Sequence, residues 1–174
     1  MKSPFTGNEV ILIKEKKHLI FRKEEFTYTH HSYLCVDSEE SFTDTELDTL
    51  NLNQVYNQYL DKYNLPFPEE IISIRKKYNL PANKMSLSLG FGVNTYRNYE
   101  NGEVPSLANA KLIQLAKNPK SFKLLVEESQ GVFGDAEIIE LLEHIDALIQ
   151  IERKNHFRIN LQNYILGDSN PDIY

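Results

Sequence analysis

The chain has 174 residues, 41% of them hydrophobic and 25% charged, with a formal net charge of −6. That length builds one core or two small ones. No stretch approaches the roughly 18 uninterrupted apolar residues of a membrane span, and the opening Met1-Lys2-Ser3-Pro4-Phe5 lacks the apolar segment of a secretory signal. Cys35 is the single cysteine, which excludes an internal disulfide and fits a reducing cytoplasm.

Residues 8–35 alternate as strands do. Val10 and Leu12, then Leu19 and Phe21, then Phe26 and Tyr28 lie two apart. The run Lys14-Glu15-Lys16-Lys17 reads as a charged hairpin tip, and Asp37-Ser38-Glu39-Glu40 as a turn. The period then lengthens. Thr43 is placed to cap a helix over about 45–63, with Leu47, Leu50, Val55, Tyr59 and Tyr63 along one side. Residues 1–66 are therefore expected to form a small α+β domain.

Leu65-Pro66-Phe67-Pro68 breaks that helix, and Pro68 suits the first position of the next one, with Glu69 and Glu70 beside its positive dipole end. Five short helices are predicted at about 69–78, 82–89, 92–100, 106–117 and 119–128. Gly90, Gly102, Ser106 and Asn118-Pro119 separate them. Ser106 is a good cap, and Leu107, Ala110, Leu112, Ile113, Leu115 and Ala116 make a broad apolar face. Ser129-Gln130-Gly131 through Gly134 reads as a linker. From Asp135 an amphipathic helix runs to about 166, with Ile138, Leu142, Ile145 and Ile149 in helical spacing and a loosening near His156.

The segment Leu89-Gly90-Phe91-Gly92-Val93-Asn94-Thr95-Tyr96-Arg97-Asn98-Tyr99-Glu100-Asn101-Gly102 is the most informative. A glycine turn opens a short helix and a glycine closes it. Val93 and Tyr96 can face a core, while Asn94, Thr95, Arg97 and Asn98 stay outside. Amide, hydroxyl and guanidinium groups on an exposed helix are the side chains that read base edges in the major groove. A second short helix precedes it after a tight turn, as in a helix-turn-helix.

Charge is unevenly spread. Residues 1–68 carry 7 basic and 11 acidic side chains, residues 69–128 carry 9 and 6, and residues 129–174 carry 3 and 8. Within 71–123 nine basic residues face only Glu100 and Glu103. That is the distribution of a DNA-contacting module between acidic parts, although a solvated helical face gives the same count. Asn83 and Lys84, near the start of the helix before the turn, are candidates for the DNA backbone. Arg75-Lys76-Lys77, like Lys111 and Lys117, suits plain solvated surface as well.

The segment Ile71–Val126 resembles an Xre-type helix-turn-helix, and residues 1–128 resemble the MqsA (YgiT-like) antitoxin family. The landmarks are Met1-Lys2-x-Pro4, Leu34-Cys35-Val36-x-x-Glu39-Glu40-Ser41, Ile74-Arg75-Lys76-Lys77, and Gly90-Phe91-Gly92-Val93-Asn94 through Tyr99-Glu100-x-Gly102. The resemblance implies a toxin-neutralising N-terminal domain and a lambda-repressor-like DNA-binding domain that dimerises and represses its own operon. In that family two Cys-x-x-Cys pairs hold zinc. The corresponding positions here are Ser3, Thr6, Cys35 and Ser38. Three thiolates are missing, and neutral hydroxyls do not replace them in a structural zinc site, so no metal and no cofactor is expected. The family's reading Asn matches Asn94, while Asn98 stands at its Arg position with Arg97 beside it. The target sequence therefore does not carry over. The tail from 129 lies outside the pattern; longer relatives resemble Panacea (SocA-like) antitoxins, and the end at Pro171-Asp172-Ile173-Tyr174 suits a shortened extension of that kind.

Two other constellations have bland readings. His31 and Cys35 share a strand face and His30 opposes them, so three convergent metal ligands are not expected. Glu39/Glu40 and Glu137/Glu140 have no nucleophile or histidine in a recognisable motif beside them. The sequence thus predicts an α+β protein: a small domain over 1–66, an all-α helix-turn-helix domain over 67–128 and a helical tail over 129–174. It predicts a cytoplasmic homodimeric repressor, not an enzyme, that reads a palindrome in its own promoter and serves as the antitoxin of a toxin–antitoxin pair, with no membrane partner. Bases would be read by Asn94, Thr95, Arg97 and Asn98, and phosphates held by Asn83 and Lys84. The alternative is an interaction protein that binds a toxin or other partner and carries a vestigial DNA module.

Overall fold

The protein, seen in a computed structural model that describes residues 2–129 and 131–167, is mixed α+β. Strands β1 (Val10–Phe21), β2 (Glu24–Cys35) and β3 (Ser41–Phe42) precede helices α1 (Thr45–Lys62), α2 (Pro68–Lys77), α3 (Ala82–Ser88), α4 (Thr95–Glu100), α5 (Leu107–Leu115), α6 (Pro119–Glu127) and α7 (Asp135–Gly167). The chain divides into two compact units, Met1–Phe67 and Pro68–Tyr174. Residues 168–174, including Pro171-Asp172-Ile173-Tyr174, lie outside the described residues.

In the first unit the strands form an antiparallel sheet in the order β1-β2-β3. The β1–β2 register pairs Val10 with Cys35 and Phe21 with Glu24, which corrects the expected hairpin. Lys14-Glu15-Lys16-Lys17 lies mid-strand, and the tip is Arg22-Lys23, both with positive φ (49° and 70°). A two-residue turn of this twist normally takes Asn-Gly. Arg22 is held there by its guanidinium lying 5.3 Å from the Phe21 ring centroid and 5.1 Å from that of Tyr59. Helix α1 starts with Asp44, not Thr43, as its cap: the carboxylate accepts from the Leu47 amide at 2.8 Å. Leu47, Val55, Tyr59 and Leu60 are buried with Phe26, while Leu50 stays exposed.

β3 covers only the end of β2, pairing with Tyr33 and Leu34. The rest of that edge is closed by amide side chains of α1. Asn51 accepts from the His31 N–H (2.8 Å) and donates to its carbonyl (2.9 Å). Gln54 does the same for Thr29 (3.1 and 2.8 Å), and Gln58 donates to the Thr27 carbonyl (3.1 Å). Outward-facing backbone groups recur every second residue of a strand, about 6.6 Å, and residues three or four apart on a helix face rise about 5 Å. The two spacings agree closely enough for one helix to stand in for a strand.

The second unit has an apolar core that includes Ile71, Tyr78, Met85, Tyr96, Ile113 and Phe122. Tyr78 and Phe122 stack with ring centroids 4.1 Å apart. Ser106 caps α5, accepting from the Asn109 amide at 3.1 Å, and Asn118 caps α6. The face of α5 is narrower than expected, since Leu107 and Leu115 are each 50% exposed. The helix from Asp135 does not stand apart from this core: Leu141, Ile145 and Ile149 are buried in it. Nor does it break near His156, since α7 is continuous to Gly167. No helix among the described residues is long and apolar enough to cross a membrane.

Candidate nucleic-acid interface

The turn between α3 and α4 begins at Gly90, whose φ of 73° is a left-handed value that a side chain resists. Ser86, fully buried, clasps this turn: its hydroxyl donates to the Gly92 carbonyl at 2.5 Å and accepts from the Tyr96 amide at 3.1 Å. The Phe91 amide bonds the Ser86 carbonyl at 2.9 Å. Tyr96 is buried and its hydroxyl reaches the Ile71 carbonyl of α2 at 2.8 Å. Burial raises the Tyr96 phenol far above its ordinary pKa, so it stays neutral and donates. Ser88, another buried serine, turns its hydroxyl back to the Lys84 carbonyl, which explains how a polar residue occupies the inner side of α3.

A second clamp holds the far end of α4. Arg75 donates through Nε to Glu100 Oε1 at 2.6 Å and through a terminal nitrogen to Oε2 at 3.3 Å, while its other terminal nitrogen bonds the Leu80 carbonyl at 2.9 Å. Both side chains are largely buried. Arg75 is thus a structural partner of α4, not a solvated cation.

α4 starts at Thr95, a turn later than expected. Asn94 is its cap residue, and its side chain makes no capping bond, so the amide is free for another partner. Asn94, Arg97 and Asn98 are exposed, and Thr95 is half-buried. Val93 does not reach the core; it is 50% exposed. Residues 94, 97, 98 and 101 fall on one stripe of a helix, and Asn101 is exposed as well. Asn101, absent from the residues expected to read bases, stands seven residues from Asn94, a spacing the sequence itself contains.

The two candidates for the DNA backbone differ. Asn83 is exposed on α3. Lys84 is engaged: its ammonium donates to the Val132 carbonyl at 2.6 Å, pairs with Glu137 at 3.0 Å, and lies 5.2 Å from the Phe133 ring centroid. The Lys84 hydrogen bond holds the Glu137 carboxyl below its ordinary pKa.

Charge pairing changes the electrostatic picture. Besides Arg75 and Lys84, Lys77 pairs with Glu152, Lys117 with Glu70 and Lys123 with Asp146. Five of the nine basic residues between 71 and 123 are thereby compensated. Three of the acids, Glu137, Asp146 and Glu152, come from α7, beyond residues 71–123. Lys76, Arg97, Lys111 and Lys120 are exposed and make no ion pair among the described residues.

In the first unit, Ser3, Thr6, Cys35 and Ser38 do come together. Thr6 Oγ1 lies 3.3 Å from Cys35 Sγ, and Cys35 is fully buried. Ser3, then Ser38 and Thr6, hold the thiol down to about 6 against the opposing effect of burial. Thr6 is the partner with hydrogen-bond geometry, and the Ser38 hydroxyl is buried, with no bonded partner among the described residues. His30 and His31 are tied to Asn51. Among the described residues no three His, Cys, Asp or Glu side chains are grouped to hold a metal ion.

Compared with known protein families and with curated proteins, the chain matches none.

Proposed function

We propose that the protein is a dimeric, sequence-specific DNA-binding repressor, with α3 and α4 as the two helices of a lambda-repressor-like helix-turn-helix. The observation that carries this reading is the outward stripe Asn94, Arg97, Asn98 and Asn101 on a helix clamped at both ends, by Ser86 and by Arg75. Exposed amides and a guanidinium are the groups that base-edge recognition uses, and fixed backbone geometry lowers the ordering cost of binding. In this reading Asn94 and Asn98 bond adenine edges, Arg97 takes guanine or a phosphate, and Thr95 sits at the margin of the contact. Asn83 sets register on a phosphate. Lys84 joins it by exchanging the Glu137 carboxylate for a phosphate oxygen. Two copies would set their α4 helices about 34 Å apart along a palindrome. The resemblance to MqsA-type antitoxins extends the proposal to autoregulation within a toxin–antitoxin pair, acting in the cytoplasm without metal, cofactor or enzymatic activity.

The test is a titration against the DNA upstream of the protein's own coding sequence and a scrambled duplex, at two salt concentrations. Selective binding is expected to exceed the scrambled duplex by about a hundredfold or more. Asn94→Ala should then cost about 1–3 kcal/mol on the selected duplex and much less on the scrambled one. Equal losses on both would remove Asn94 from base reading.

A second reading, a partner-binding protein with a vestigial DNA module, is favoured by the compensation of five cations in the basic window. Weak, equal and steeply salt-dependent binding to both duplexes would bring it forward.

A further inference from the structure

The outer side of α7 has no account in the fold. Its 33 residues span roughly 50 Å. Residues through Ile149 pack on the core, whereas every residue from Gln150 to Ile159 is exposed. A helical stretch of that length gains little from propensity alone and ordinarily rests on packing. Among its side chains Ile151 is 53% and Phe157 68% exposed, and Ile139, on the outer side of the first half, is 59% exposed.

The charges of α7 are divided along its length. Asp135 to Ile149 contains five acidic residues and no Lys or Arg. Gln150 to Ile159 contains Arg153, Lys154 and Arg158 against Glu152. Exposed positions recur in alternating steps of three and four: Glu140, Glu143, Ala147, Gln150, Lys154 and Phe157. That is the spacing of a helix–helix seam. It lies on the side of α7 opposite Leu141, Ile145 and Ile149, so core packing leaves it uncovered.

We propose that this face is a self-association surface, on which α7 of a second copy lies antiparallel about a two-fold axis between Ala147 and Gln150. Antiparallel layering sets Ala147 against Gln150 of the second copy, Glu143 against its Lys154, and Glu140 against its Phe157. Flanking positions bring Asp146 to Arg153 and Glu137 to Arg158 of the second copy. Asp146 and Glu137 already hold Lys123 and Lys84, so each acid would sit between two cations. The small Ala147 lets the helix axes approach at the two-fold. A parallel pair would instead stack acid on acid and base on base. The surface is isologous, as a closed dimer requires, and charge complementarity selects the second copy, antiparallel, as its occupant.

The pairing supplies the two-fold that the DNA-binding proposal calls for, yet it stands on α7 alone. It is tested without DNA, by sedimentation equilibrium of the full chain at micromolar concentrations. The wild type is expected to dimerise. Glu143→Lys and Lys154→Glu alone should each weaken association by about tenfold or more, and the double variant should recover to within about threefold of wild type, since the pair is restored with its signs exchanged. Both positions are exposed, so the circular dichroism of each variant should match wild type. A wild type that stays monomeric would overturn the proposal, as would a double variant no better than the single ones. Either result leaves selective DNA binding to be decided by its own titration.

Discussion

The two compact units hold themselves together by different means. The second relies on volume: stacked Tyr78 and Phe122, buried Met85, Ile113 and Ile145, and a few polar clasps laid over that core. The first has few large buried side chains and leans on polar ones. Asn51 and Gln54 close a strand edge, and hydroxyls gather around a buried thiol. Packing spreads a perturbation over many weak contacts. A hydrogen bond to an otherwise orphaned backbone group concentrates it in one place. The units should therefore respond to different substitutions.

The largest effect is expected in the second unit. Phe122→Ala empties the space beside Tyr78 and should cost about 3–5 kcal/mol, read as loss of amide protection in α2 and α6 by hydrogen exchange with the first unit unchanged. Next is Asn51→Leu, which keeps volume and apolar contact but strands the His31 N–H and carbonyl. It should cost about 2 kcal/mol and expose the His31 amide to exchange. If it is neutral, the first unit is held by packing after all and the contrast fails. Lys23→Gly relieves one left-handed residue at the hairpin tip while keeping the Arg22 contacts, and should stabilise the first unit by about 0.5–1 kcal/mol in a denaturant titration. A separate expectation is a slope with pH. The Cys35 pKa falls on folding from 9.0 to about 6, so between those values the unfolded chain holds a proton the folded one has lost. Stability of the first unit should rise with pH across that window, be full above about 9, and be lost as pH falls through about 6. Cys35→Ser should flatten the slope, and thiolate absorbance near pH 6 should report the titration directly.

Local signals served the second unit best. The glycine turn and the caps at Ser106 and Asn118 act within a few residues of where they sit in the sequence, and the structure has them there. What escaped was set by contacts remote in the chain. Lys84 and Lys123 count as free cations until α7 returns Glu137 and Asp146 to them. Asn51 and Gln54 on a helix look like plain solvated amides until a bare strand edge is laid beside them. In the hairpin the charge run imitated a turn, while the real tip spends left-handed backbone on Arg22 and Lys23, a choice invisible to rules that look for glycine and asparagine. The outward stripe proposed for base reading is legible because it depends only on helical spacing. Its first residue is a cap because Gly92 and Val93 lie outside the helix, which starts only at Thr95.

The amide ladder also has a consequence during synthesis. β1 and β2 leave the ribosome before α1, so the β2 edge at Thr27, Thr29 and His31 has no lid until Gln58 has emerged. At about 5–20 residues per second that interval lasts roughly one to five seconds. During it the nascent hairpin presents two open edges, of which only the β1 side carries a deterrent, the cations Lys14, Lys16 and Lys17 along its middle. Arrival of α1 ends that exposure in one step: the helix terminates the sheet, and the hairpin can then add a strand only along β1.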